Sequence, residues 1–292
     1  MSLDRFSLNQ ATIKYADLAT AVQVTADAGI PAIGLWRESV SEYGIAAGAE
    51  LVRNEGLRVS SLCRGGFFTS QYGSERRKAL DDNRRALDEA ATLAAPVLVL
   101  VVGGLPNGDR DVVGARARVS EALTELAPHA RQVGVTMAIE ALHPMYAADR
   151  SVVSTLGQAL DLASPFPPAE VGVVVDTFHV WWDPSLKEQI ARAGSEGRIA
   201  SYQVCDWVLP IAADPLLSRG FPGDGCIDFP TITAWVNDAG YVGYIECEIF
   251  RQTVWDADPS EVARRASTSY QQVVGRKTSP PPTVSPDWAR HR

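Results

Sequence analysis

The feature that most restricts how this chain can fold is a short apolar run that stops at a residue able to bind a cation or carry a proton. The clearest case is VGVVVDTFHV, Val171–Val180, where a nearly all-β-branched run, Val171–Val175, ends at Asp176. An apolar run of this length bounded by polar residues reads as a strand buried on both faces, as in a parallel sheet. Three more segments share the form. VTMAIE (Val135–Glu140) ends in Glu140, IASYQVCD (Ile199–Asp206) carries Gln203 and Asp206, and YIECEIF (Tyr244–Phe250) carries Glu246 and Glu248.

The remainder alternates in the same way. Ahead of these four, strands are expected at Phe6–Ile13, Ala32–Trp36, Leu57–Cys63 and Pro96–Val102. Helices are expected at Tyr15–Ala28, Val40–Asn54, Ser74–Ala95, Asp111–Val133, Leu156–Ala163, Pro184–Ala193, Phe229–Ala239 and Pro259–Val274. Eight strands alternating with eight helices specify an α/β fold, a (β/α)₈ TIM barrel in a single domain over residues 1–276, with 277–292 a Pro-rich C-terminal tail. Right-handed crossovers bring all strand C-termini to one face. Glu140, Asp176, Gln203 and Glu248, near the ends of the fifth to eighth strands, then converge above the barrel axis.

Composition narrows the function. The net charge of -8 argues against a nucleic-acid partner, which would call for a basic surface. The four cysteines, Cys63, Cys205, Cys226 and Cys247, are widely spaced with no CxxC pair, as in a reduced, cytoplasmic protein. No stretch approaches the ~20 apolar residues of a membrane span, so no membrane partner is expected.

Three carboxylates and an amide oxygen suit one hard or borderline divalent ion, manganese before magnesium, cobalt or zinc. A cation offsets the cost of carboxylates in an apolar barrel mouth. The competing arrangement pairs each carboxylate with an arginine, Arg64, Arg150 or Arg219. Glu246, two residues before Glu248, shares its strand face one layer deeper. His143, three residues beyond Glu140, titrates near neutrality and is a candidate acid or base. Arg37, Arg64, Arg150 and Arg219 follow strands and are placed to read hydroxyl-rich or anionic groups. Trp36, Phe67, Phe68, Trp181, Trp182 and Trp207 are candidates to wall the pocket. Gly223-Asp224-Gly225 reads as a tight turn and not a phosphate loop, since no Lys follows it.

The motifs GLWRE (Gly34–Glu38), SLCRGGFF (Ser61–Phe68), IEALHPMYAADRS (Ile139–Ser151), VVVDTFHVWWDP (Val173–Pro184), QVCDW (Gln203–Trp207), RGFPGDGCIDF (Arg219–Phe229) and GYIECEIF (Gly243–Phe250) together resemble the sugar phosphate isomerase/epimerase family, the xylose isomerase-like TIM barrels. The resemblance runs from Phe6 to Trp255. It implies that Glu140, Asp176 and Glu248 are metal ligands and that the two glutamates move protons on opposite faces of the substrate. Its seventh-strand ligand is usually His. Gln203 stands there instead, a weaker neutral ligand that cannot carry a proton. Substrate contacts are expected from His179, Arg64, Arg219, Trp36 and Asp206.

The reading that follows is a metal-dependent sugar isomerase or epimerase acting on a keto-sugar or related polyol through an enediolate, with Glu140 and Glu248 as acid and base. A lyase, of the inosose dehydratase or 3-keto-glycoside-cleaving kind, would use His143 as base and could need a small partner subunit. A non-catalytic sugar-binding barrel would bind no metal. An endonuclease-like hydrolase is disfavoured by only four histidines and the acidic charge. A homo-oligomer leaves no distinct signature in the sequence.

Overall fold

The β-branched runs do form a closed sheet. In a computed structural model that describes residues 2–274, eight parallel strands close in the order β1-β10-β7-β6-β5-β4-β3-β2. They are β1 (Phe6–Asn9), β2 (Ala32–Trp36), β3 (Arg58–Gly66), β4 (Val97–Val101), β5 (Thr136–Glu140), β6 (Val171–Asp176), β7 (Ile199–Val204) and, as the eighth barrel strand, β10 (Ile245–Cys247). The short antiparallel pair β8 (Asp206–Trp207) and β9 (Arg219–Gly220) lies outside the barrel. The tail expected at 277–292 lies outside the described residues.

Register decides which side chains meet. Asp176 on β6 stands beside Gln203 on β7, and Gln203 stands beside Glu246 on β10. Apolar residues from both faces of the strands are buried with the inner faces of the helices. In Ser74–Thr92, Leu80, Asn83, Ala86, Leu87 and Ala90 recur every three or four residues and are buried, the spacing of one helical face. Asn83 in that stripe exchanges two hydrogen bonds with the Gly66 backbone and ties the helix to β3.

Four local features differ from the sequence expectation, each for a local reason. β1 stops at Asn9, whose side chain accepts from Ala11 N and opens a 3₁₀ turn over Gln10–Ile13. The helix expected over Val40–Asn54 is two, Arg37–Tyr43 and Ile45–Asn54, broken at Gly44 with φ +99°, a conformation side chains resist. β3 runs on through Gly66, so Arg64 is a strand residue and not a loop residue. Asp176 caps a one-turn helix, Thr177–Val180, by accepting from Phe178 N, and this turn swings His179 back over the strand ends.

Candidate metal and acid–base site at the barrel mouth

Glu140, Asp176 and Glu248 lie together at the strand ends, with Gln203 on the strand between the last two. Glu140 ends β5, Asp176 ends β6, Gln203 is next to last on β7, and Glu248 directly follows β10. All four are at most 5% exposed. The carboxylates of Glu140 and Asp176 and a ring nitrogen of His179 lie within 4.8 Å of one another. His179 Nε2 is 3.8 Å from both Glu140 Oε1 and Asp176 Oδ2. Glu248 is met by a buried cation. Arg219 Nη1 is 3.0 Å from Glu248 Oε2 and 3.3 Å from Asp176 Oδ2.

Burial dominates the electrostatics. It holds the Glu140 carboxyl well above its ordinary value, with Asp176 and Glu248 adding repulsion. Burial also raises Asp176, against the pull of Arg219, and lifts Glu248 to about 8. His179 is pushed well below the usual histidine range by burial and then by Arg219. Its hydrogen-bonding environment agrees. The His143 amide donates to Nδ1, and Arg219 Nη2 sits 3.0 Å from Nε2. Two donors aimed at the two ring nitrogens disfavour the imidazolium, whose nitrogens are both donors.

These side chains fit a divalent cation. With the three carboxyls ionised, one guanidinium would leave negative charge in excess, which a cation would balance. Among the described residues the buried Gln203 Oε1 makes no hydrogen bond, and Asp176 Oδ2 makes none beyond its ion pair with Arg219 at 3.3 Å, an arrangement that is costly unless another partner completes it. The donors are carboxylate and amide oxygens, the set that hard divalent ions take.

Above the carboxylates opens a cavity of about 810 Å³ lined by Glu140, His179, Arg219 and Glu248, within the range of small-molecule sites. One wall is aromatic, with Trp36, Phe250 and Trp255 in edge contact at 5.6 and 6.1 Å. Arg64 lies over Phe67 and Trp36 at 4.8 and 5.7 Å, and Lys14 over Trp255 at 4.6 Å. Among the described residues neither cation makes an ion pair, and the buried Arg64 Nε has no partner. Tyr146 also lines the cavity. Its hydroxyl has no partner, and burial pushes it up to about 12.

Several expected contributors are elsewhere. Asp206 is fully buried and does not line the cavity. Its two oxygens accept from the backbone N–H groups of Trp207, Gly223, Gly225 and Ile227, so it clasps the loop that carries β9 and has nothing left for substrate. His143 turns away from the cavity, and its ring packs against Trp182 and Trp207. Its contribution to the site is the backbone N–H that orients His179. Arg37 is taken by Asp82 and Glu89. Trp207 stacks on Phe178 in the core at 4.7 Å. Arg219, read from the sequence as a loop residue, lies on β9 and is 2% exposed. Of the substrate-contact set, Trp36, Arg64, His179 and Arg219 reach the cavity. Lys14, Tyr146, Phe250 and Trp255 were not singled out. Nothing local marks them, because each is an ordinary surface or core residue type until the barrel closes.

Residues 22–272 match the family model for the xylose isomerase-like TIM barrel. The inosose isomerase of Bacillus velezensis is 25% identical over 243 residues, 82% of this chain and 84% of that protein. Among solved structures, protein SMc04130 from Sinorhizobium meliloti 1021 is 46% identical with a TM-score of 0.90, covering 93% of this chain and 98% of that one. The zinc-bound IolI protein, 22% identical, superposes with a TM-score of 0.83 over 94% of this chain and 99% of its own, a likeness of fold.

Proposed function

This chain belongs to the xylose isomerase-like TIM barrel family, and on that premise we propose that it is a divalent-metal-dependent sugar isomerase or epimerase acting on a keto-sugar or cyclic keto-polyol through an enediolate. The observation that carries the reading is the cluster of three buried carboxylates at the ends of β5, β6 and β10, with one arginine between two of them and, on β7 between β6 and β10, the Gln203 amide oxygen left without a hydrogen bond among the described residues. The inosose isomerase relative supports the substrate class, and the zinc in the IolI structure supports a metal.

Glu140, Asp176, Gln203 and Glu248 would hold the ion, manganese suiting oxygen donors best. Bound there, the ion supplies Lewis acidity toward a carbonyl and its neighbouring hydroxyl. The protein's own groups move the protons. Glu140 and Glu248 face the cavity from either side of Asp176 and Gln203; burial raises both carboxyls, Glu248 to about 8, which favours a carboxyl that takes and returns a proton. One removes the proton from the carbon beside the carbonyl, and the electron pair left behind moves onto the carbonyl oxygen as the enediolate. The other carboxyl gives a proton to the opposite face of the same carbon, which is epimerisation. If the neighbouring hydroxyl passes its proton to the former carbonyl oxygen and becomes the new carbonyl, delivery of the carbon-bound proton to the former carbonyl carbon gives isomerisation. Arg219 donates toward the developing oxyanion, and neutral His179 lines the cavity beside it and helps hold Arg219 in place. The His143 ring lies outside the cavity, which counts against His143 as the base of the competing elimination.

The test is solvent exchange. Manganese-loaded protein is incubated in heavy water with ketohexoses and keto-inositols, and deuterium beside the carbonyl is followed by NMR. Incorporation that falls by at least about 100-fold in Glu248→Gln and Glu140→Gln supports the reading. No incorporation with any of these compounds, together with no metal uptake, overturns it.

A further inference from the structure

The structure assigns Glu246 the role of a positioning residue that turns the Gln203 amide oxygen, and not its nitrogen, toward the metal site. This rests on the metal reading above. It deepens that reading by explaining how a glutamine serves as a ligand and which ions it favours.

Glu246 lies one layer below the cavity and is 1% exposed. Its carboxylate accepts from four side chains. Asn9 Nδ2 and Gln203 Nε2 reach Oε1 at 2.7 and 3.0 Å, and Ser60 Oγ and Ser61 Oγ reach Oε2 at 2.5 and 2.8 Å. A carboxylate only accepts, so the Gln203 end that faces it must be the NH₂. That leaves Gln203 Oε1 buried and unpartnered, on the strand between Asp176 and Glu248.

The surroundings are built to hold Glu246 in place. Gln203 and Glu246 are direct neighbours across β7 and β10. Asn9 is itself fixed, since its Oδ1 accepts from Trp36 Nε1 and Ala11 N, which leaves its NH₂ for Glu246. On β2, a side chain at Gly34 would put its Cβ 2.6 Å from the Glu246 carboxyl carbon, so the strand leaves the space the carboxylate fills.

The consequence is a ligand set of oxygens alone. His179 is the nearby nitrogen donor, and both its ring nitrogens already face donors. Three carboxylates and an amide carbonyl favour harder ions relative to a set that includes imidazole. An imidazole at position 203 would give its Nδ1–H to Glu246 and present Nε2 in place of the amide oxygen.

The experiment is calorimetric titration of the chelator-treated full chain with Mn²⁺ and with Zn²⁺, with Mn²⁺ binding also followed by its EPR spectrum. In Glu246→Gln either amide can flip, and Mn²⁺ binding is expected to weaken about 10- to 100-fold while the circular dichroism spectrum is retained. In Gln203→His the ratio of Zn²⁺ to Mn²⁺ affinity is expected to rise at least about tenfold. A folded Glu246→Gln that binds Mn²⁺ as the parent does overturns the assignment. If that variant does not fold, an unchanged affinity ratio in Gln203→His overturns it. A parent chain that binds neither ion would sink the metal reading itself, a failure distinct from normal binding left untouched by the substitutions.

Discussion

Arg219 is the residue on which the charge balance turns. It bridges Asp176 and Glu248 in a setting where all three are nearly inaccessible. Removing one partner of a buried pair leaves the others uncompensated, a loss of about 3–5 kcal/mol. Arg219→Met should therefore destabilise the metal-free chain by that amount in urea unfolding, and added Mn²⁺ should recover part of it. Unchanged stability would mean that the carboxylates are neutralised without the arginine. Tyr146 presents the opposite case. Its hydroxyl has no partner among the described residues, so Tyr146→Phe should leave stability within about 0.5 kcal/mol. If the hydroxyl meets substrate, KM should rise roughly 5- to 10-fold, the worth of one hydrogen bond. An unchanged KM would place the substrate elsewhere in the cavity.

At the scale of elements, the site depends on how the loop after β7 is pinned. Asp206 gathers four backbone N–H groups from that loop, and β8 with β9 delivers Arg219 to the carboxylates. Asp206→Ala would orphan buried donors at about 1–3 kcal/mol each if no water reached them. Its expected result is a stability loss of at least about 2 kcal/mol, with protease cleavage appearing first between Trp207 and Asp228. Uniform protection of that loop would refute the clasp. Gly66 shows the same dependence on β3. Its φ is +115°, and a Cβ there would meet the Val101 carbonyl oxygen, so Gly66→Ala should cost more than any exposed glycine substitution. The sequence carries the Gly65-Gly66 pair but no sign that the strand continues through it, because strand length here is set by pairing with β4.

Across the whole molecule, the buried carboxyls link stability to pH and to metal. Glu248 titrates near 4.5 when unfolded and about 8 when folded without metal. The folded state keeps a proton that the unfolded chain has lost, so this contribution is complete below 4.5 and disappears as pH rises through 8. The buried neutral His179 gives the opposite slope below its unfolded value of about 6.5, so the clean interval lies above it. The melting temperature of chelator-treated protein should fall from about pH 7 to pH 8, and a rise there would contradict the folded-state protonation. Metal displaces the proton, so the manganese-loaded protein should lose this slope and gain most at high pH. At a concentration 100 times Kd the added stability is about 2.7 kcal/mol. The barrel and its order of strands were legible in the chain itself, since β-branched runs between amphipathic helices close in one way and carry Glu140, Asp176, Gln203 and Glu248 to the same end. The sequence by itself determined that much because periodicity and strand-end position are local properties. Only the tertiary structure decided that Asp206 and His143 turn to the backbone and to tryptophans, that Arg219 is the buried counter-charge, and that Glu246 orients Gln203. Each depends on which donors lie within about 3 Å of an atom, and those donors come from strands as far apart in the chain as β1 and β10.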